Sequence, residues 1–231
     1  MTIVLQWTAL AVCFGALVWR LPSAIKGRNV SMFWCMALLT VAVGLSIPDI
    51  YVPADKLLGG VNIANLLLRL VLLVLLFILA GKIAAAYKSP VGVRMIRGPV
   101  GLAVVAVLAA GILVAFFSTP TPESSTGLNM YLHEPGIMVY AALGRVYQAY
   151  VAACLVVPTF RGGLRSRLAV DRAAALCLSV GFLLMALLLP MQVLRLATGT
   201  PAYVVSYLSI LCVAVGLALV WVSYLRRPVT R

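Results

Sequence analysis

The sequence predicts an all-α polytopic membrane protein, a bundle of seven transmembrane helices with an outside N-terminus and a cytoplasmic C-terminus. Hydrophobic residues make up 64% of the 231 residues and charged residues only 10%, whereas soluble domains are nearer half apolar and a quarter charged. The mean hydropathy is +1.13. Seven apolar segments follow one another along the chain, and basic residues concentrate in alternate connections between them. We therefore expect a single membrane domain that covers residues 1–231.

The first apolar segment is expected to be retained as a helix and not cleaved as a signal peptide. It is too long for a signal-peptide core, and Arg20 follows it in place of a cleavage site. Trp7 and Trp19 stand towards its two ends, where interfacial aromatic belts lie. The seven predicted helices cover about residues 2–21, 32–47, 61–87, 100–117, 135–157, 168–194 and 203–224.

The connections between these segments are short and polar. Segment two stops at Pro48-Asp49, and the connection 48–60 leads into segment three, which is about as long as a bilayer core requires. A basic connection, 88–99, precedes segment four. The longest polar connection, 118–134, has two prolines and a Ser/Thr cluster and leads to segment five. A strongly basic connection, 158–167, separates segments five and six.

The distribution of charge predicts the orientation. Four of the five acids, Asp49, Asp55, Glu123 and Glu134, fall on the side opposite to most of the basic residues. The positive-inside rule places the basic side in the cytoplasm, and we expect a multi-pass protein of the bacterial plasma membrane. Fourteen of the eighteen basic residues lie in alternate connections: Arg20, Lys26, Arg28, Lys82, Lys88, Arg94, Arg97, Arg161, Arg165, Arg167, Arg172, Arg226, Arg227 and Arg231.

Segment three carries polar residues at helical spacing. Asn62, Asn65 and Arg69 stand at i, i+3 and i+7, so they are expected on one face of the helix. An arginine about two turns inside a spanning helix is costly, and usually has protein, water or a ligand on its side. These three residues are the first candidates for ligand binding.

Two further arginines are predicted in the outer half of the membrane, each with a glutamine at helical spacing. Arg145 in segment five has Gln148, and Arg195 near the end of segment six has Gln192. Snorkelling of the arginines to outer headgroups is the simpler interpretation. The alternative is an outward-facing polar cavity lined by segments three, five and six, in which all of these polar side chains are ligand-binding candidates.

The sequence lacks the residues that several kinds of metal, redox and cofactor site require. His133 is the single histidine, no HExxH motif occurs, and none of the five cysteines forms a CxxC pair. No lysine lies in segment seven, which excludes a retinal Schiff base there. The positive net charge is explained by topology, so we expect no nucleic-acid partner. We expect no catalytic residue, no metal, no cofactor and no enzymatic activity.

The run IPDIYVPADKLLGGVNIANLL resembles a stretch of an uncharacterised actinobacterial seven-helix integral membrane family whose members are commonly labelled transporters. The resemblance implies a seven-helix membrane domain. Family members usually have a cytoplasmic C-terminal region as well, which we expect this chain to lack because it ends soon after segment seven. Arg69 stands where the family tends to have histidine. The residues that match the family pattern are Pro48, Ile50, Tyr51, Asp55, Leu57, Gly59, Asn62, Ile63, Ala64, Leu66 and Leu67.

Two functions are compatible with this pattern. The first is an integral membrane interaction or sensor component, in which the connections 48–60 and 118–134 and the outer arginines contact a ligand or partner. The alternative is a small transporter of an anionic or amphipathic solute through a cavity between helices three, five and six. We favour the first, because the only acid within a segment, Asp171, lies at the inner end of segment six and carriers usually bind near the midplane. The expected partners are the lipid bilayer and a membrane or extracytoplasmic protein.

Overall fold

The protein is all-helical in the part that the structure describes. The computed structural model describes residues 2–27, 30–131, 133–193, 205, 208–209, 211–213, 215–217, 219–220 and 223, and these residues include no strand. Within them, four helices are long and apolar enough to cross a membrane, and a bent pair of helices adds a fifth crossing if the pair is one span. The predicted all-α class is therefore confirmed, together with several helices suited to a membrane.

The helices follow the apolar segments of the sequence. Predicted segments one to six correspond to α1, α2, α4, α6, α7 and α8. Most of segment seven, 203–224, lies outside the described residues, and those described between 205 and 223 are helical. In chain order the helices are α1 (Thr2–Ile25), α2 (Val30–Leu45), α3 (Pro48–Leu57), α4 (Ile63–Ala86), α5 (Pro90–Arg97), α6 (Pro99–Phe117), a 3₁₀ segment (Thr126–Tyr131), α7 (Pro135–Arg165) and α8 (Ala169–Val193).

Two short helices occupy stretches that the sequence analysis assigned to connections. α3 and α5 each begin with a proline, Pro48 and Pro90. Proline is favoured at the first helical position, because the amide hydrogen that it lacks would have no partner in the helix. The 48–57 helix makes an angle of 94° with 33–45. Pro48 therefore starts a new helix after α2 ends, which a search for long apolar runs does not detect.

α7 runs eight residues beyond its predicted end at 157 and closes at Arg165. The predicted end followed the end of the apolar run, because the added residues contain two arginines, Arg161 and Arg165. Polar residues do not by themselves end a helix, so α7 continues through them. The helix continues past Pro158, and the Thr159 hydroxyl donates to the Leu155 carbonyl at 2.8 Å.

The chain divides into two compact units. The first comprises residues 1–79 and 103–144, and the second comprises 80–102 and 145–231. In the first unit, Tyr51 of α3 packs with Leu45 and Ala64 in a buried cluster. In the second, Ile96 of α5, Leu155 of α7 and Leu178 of α8 are buried.

Candidate functional site

A buried carboxylate organises the start of α4 in the first unit. Asp55, at the end of α3, is fully buried. Its two oxygens accept hydrogen bonds of 2.9 Å from the backbone N–H groups of Asn62 and Ala64, and the Ser124 hydroxyl donates to the same carboxylate. The first N–H groups of a helix lack partners within the helix and attract negative charge. Asp55 therefore caps α4 from a neighbouring helix.

Asn62 joins three parts of the chain. Its Oδ1 accepts from the Tyr51 hydroxyl at 2.9 Å and from the Ser125 N–H at 2.7 Å, and its Nδ2 donates to the Glu123 carbonyl at 2.7 Å. Its φ is +63°, a region that asparagine tolerates better than most residues. It lies at the turn just before α4, outside the helix that the sequence predicted for it, and three hydrogen bonds hold its amide within the protein.

We call residues 48–62 and 118–131 the cap. Besides Asp55 and Asn62, Thr121 links its two parts, since the Thr121 hydroxyl donates to the Val61 carbonyl at 3.1 Å. The turn between α3 and α4 needs glycine, because φ is +108° at Gly59 and +73° at Gly60. The cap is thus held by hydrogen bonds from several side chains, and not by apolar packing alone.

Asn65 and Arg69, in the first and second turns of α4, both contact Tyr140 of α7. The Tyr140 hydroxyl donates to Asn65 Oδ1 at 2.8 Å. The Arg69 guanidinium carbon lies 4.2 Å from the centroid of the Tyr140 ring, the geometry of a cation–π contact. Gly144 makes room for it, because a Cβ there would stand 2.7 Å from Arg69 Nη1. Arg69 therefore packs on an aromatic ring within the protein.

The other predicted site residues are placed differently. Arg145 is exposed and Gln148 half-buried, both on α7 in the second unit. The Gln192 side chain and Arg195 lie outside the described residues. The three residues of segment three are therefore seen in contact with first-unit groups, and a site that joins the three arginines stays a prediction.

The sequence analysis missed the residues that complete this arrangement. It named Asp55 as an acid of the outer side, whereas the structure places its carboxylate on the backbone N–H groups of Asn62 and Ala64 at the start of α4. Tyr51, Ser125 and Tyr140 were not singled out for contact with the asparagines. One signal in the sequence could have predicted the cap of α4. Asp55 stands shortly before Gly59-Gly60 and the start of a helix, a pattern typical of a turn in which an acid caps the next helix.

The chemistry of this site is that of a rigid support. The side chains of Asp55 and Asn62 are fully buried, and each makes three hydrogen bonds with the protein itself, so neither is accessible to a ligand. Among the described residues, no group of three or more His, Cys, Asp or Glu side chains could hold a metal ion. The site holds the cap against the start of α4. Contacts with other molecules are therefore left to the exposed side chains of the cap.

The exposed side of the cap is apolar at one turn. Leu57 is 89% exposed, and Leu58 and Val61 in the same turn are also exposed. Met130, in the 3₁₀ segment, is 58% exposed. α3 and the 3₁₀ segment contact each other. Both parts of the cap, 48–62 and 118–131, therefore carry exposed apolar side chains.

Comparison with protein-family models, curated proteins and solved structures finds no match to this chain. The resemblance of 48–67 to an actinobacterial membrane family stays a prediction.

Proposed function

We propose that this chain is an integral membrane interaction component that binds a protein partner through the exposed side of its cap. The observation that carries this function is the exposed apolar turn of Leu57, Leu58 and Val61, on a segment held by hydrogen bonds of Asn62. Exposed apolar side chains grouped on a rigid surface are typical of interaction sites.

Charge on the cap favours a protein over a lipid surface. The exposed carboxylates of the cap are Asp49 and Glu123, against one ammonium, Lys56, and the half-buried Glu134 follows shortly after the cap in the chain. His133 Nε2 lies 3.6 Å from the Glu134 carboxylate. An acidic surround repels anionic headgroups and attracts basic side chains. The partner that fits is a protein surface with an apolar centre and basic residues around it.

We further propose seven crossings of a bacterial plasma membrane, with the cap outside. Support comes from the fourteen basic residues in alternate connections and from the acids on the other side. α1, α2, α4, α6, α7, α8 and segment 203–224 would be the seven spans. In this topology α3 lies between two spans, at the outer surface, where an extracytoplasmic or membrane partner can reach it.

The experiment is site-specific crosslinking in native membranes, followed by purification in mild detergent. A photoreactive residue at Leu57 should capture one protein in stoichiometric amount. Leu58→Asp should abolish that capture, and a photoreactive residue at Leu164, exposed at the end of α7, should not give the same product. Capture that Leu58→Asp leaves unchanged, or crosslinks to lipid alone, would overturn the proposed interaction.

The transport alternative gives a different result in the same preparation. Purified protein in proteoliposomes would then take up an anionic solute, and Arg69→Ala would abolish the uptake without affecting the crosslink at Leu57. We expect no such uptake, because Arg69 packs on Tyr140 within the first unit. Uptake that depends on Arg69, together with the absence of a crosslinked partner, would replace the interaction function by transport.

A further inference from the structure

A groove runs along one face of α7 within the second unit. Its volume is about 640 Å³, within the range of ligand sites of roughly 300–1,000 Å³. We call it the α7 groove. Its wall on α7 is formed by residues spaced three or four apart, which place their side chains on one face. Tyr150, Cys154, Val157, Arg161 and Arg165 follow this spacing, and Ala153, Pro158 and Gly162 complete the wall.

The opposite wall of the α7 groove is the corner between α4 and α5, and three contacts fix it. The Tyr150 hydroxyl donates to the Met95 carbonyl at 2.6 Å. Gly162 allows the Tyr87 ring to approach, since a Cβ at 162 would stand 2.2 Å from Tyr87 Cδ1. A Cβ at Gly92 would stand 3.3 Å from Ala84 Cβ and 3.5 Å from Pro158 Cγ of α7. The groove is therefore held open between two walls that contact each other within the second unit.

Polarity changes along the α7 groove. The stretch from Ala153 to Pro158 is apolar, and Arg161 and Arg165 follow at the end of the helix. Lys88 lines the groove from the other wall, and all three cations are exposed. At about 1.5 Å per residue, the face from Tyr150 to Arg165 is about 22 Å long. The groove therefore has an apolar stretch and a cationic end.

An acidic phospholipid has the complementary distribution of groups. Its phosphate is an anion that arginine holds by charge-assisted hydrogen bonds, and its acyl chain matches an apolar wall. Ser89 caps α5, and its Oγ accepts from the Gly92 N–H at 3.1 Å. Ser89 and Pro90 line the groove, so the positive end of this helix lies at the groove. A zwitterionic lipid would leave these positive groups less well compensated.

We propose that the α7 groove holds one acidic phospholipid, with the headgroup phosphate at Arg161 and Arg165 and an acyl chain against Val157 and Cys154. This site is independent of the protein partner proposed for the cap, because it lies wholly in the second unit. The lipid would act as a bound component of the protein rather than as bulk membrane.

The test is lipid binding by the full chain in nonionic detergent, with native mass spectrometry to count bound lipids and thermal unfolding to report stabilisation. The probes are phosphatidylglycerol, phosphatidylcholine and inorganic phosphate. We expect one tightly bound phosphatidylglycerol. Arg161→Gln/Arg165→Gln should weaken it by about 30-fold, the loss expected for two basic contacts to an anionic headgroup.

Two matched variants separate the groove from general surface charge. Arg167→Gln/Arg172→Gln removes the same charge from exposed residues outside the groove wall and should change affinity less than threefold. Val157→Trp keeps the charge, fills the apolar stretch and should also weaken binding. Equal losses in both double variants, equal affinity for phosphatidylcholine, or equal stabilisation by inorganic phosphate would each overturn the lipid site. Unchanged lipid affinity in a folded Val157→Trp variant would do the same.

Discussion

At the residue scale, two side chains join parts of the chain that are about 60 residues apart. Asp55 reaches Ser124 across 69 positions, and Asn62 reaches Glu123 and Ser125 across 61 and 63 positions. The sequence placed Asn62, Asn65 and Arg69 on one face, and it assigned them to a ligand. The acid before Gly59-Gly60 was a local signal for the Asp55 cap. Nothing in local spacing indicates that Ser124 meets Asp55 or that Tyr140 meets Asn65, because those contacts depend on how the chain folds back.

Removal of the Asp55 carboxylate should destabilise the cap. Asp55→Ala leaves the Asn62 and Ala64 N–H groups without their acceptor in a buried site, which costs about 2 kcal/mol. For a protein of this length the melting temperature should fall by roughly 4–8 °C in detergent. The matched control is Asp49→Ala, an exposed acid of the same helix, which should cost less than about 1 kcal/mol. Equal melting temperatures for the two variants would contradict the capping role.

Substitutions at Tyr140 should separate its hydroxyl from its ring. Tyr140→Phe removes the hydrogen bond to Asn65 but leaves a ring beneath Arg69, and should cost about 1 kcal/mol. Tyr140→Leu removes both, together with the ring contact to Phe116 at 5.8 Å, and should cost about 1–2 kcal/mol more. Chemical or thermal unfolding of the two variants measures the difference. Equal stabilities would mean that the cation–π contact contributes nothing.

At the element scale, the sequence predicted the long helices well and the short ones not at all. Hydropathy alone locates α4, α6 and α8 to within a few residues, because an apolar run of spanning length has few alternatives to a helix. α3 and α5 have ten and eight residues, too short for that test. Their informative signal was proline at the first helical position, at Pro48 and Pro90.

Close packing of α7 on Tyr87 should be visible in a double-mutant cycle. Gly162→Ala puts a Cβ into the Tyr87 ring and should destabilise the protein by about 1–2 kcal/mol. In a Tyr87→Ala background the clash is absent. The same substitution should then stabilise by up to about 1 kcal/mol, because alanine is the better helix former. Unfolding of the four variants gives the coupling energy. The same change in both backgrounds would show that the ring and Gly162 are not in contact.

At the scale of the whole molecule, composition was enough to predict the class, because a chain with 64% hydrophobic residues exceeds what a soluble domain holds. The exposed apolar faces of the described helices agree with this, since Val107, Val114 and Phe117 of α6 are among the most exposed large side chains. Exposing such an apolar surface to water is unfavourable, whereas contact with lipid tails carries no such cost. The α7 groove was not predicted, because its two walls come from segments that the sequence separates by about sixty residues.

The proposed orientation makes a direct prediction about accessibility. In a background in which all five cysteines are replaced by alanine, single cysteines would be placed at Leu57, Val91 and Leu164, which are exposed by 89%, 67% and 61%. A membrane-impermeant maleimide should label Leu57→Cys in intact cells, because the cap is outside. It should label Val91→Cys and Leu164→Cys only after permeabilisation, because the basic connections are held in the cytoplasm. The reverse pattern would invert the protein in the membrane. Labelling of Val91→Cys and Leu164→Cys from opposite sides would instead contradict an even number of crossings between α5 and the end of α7.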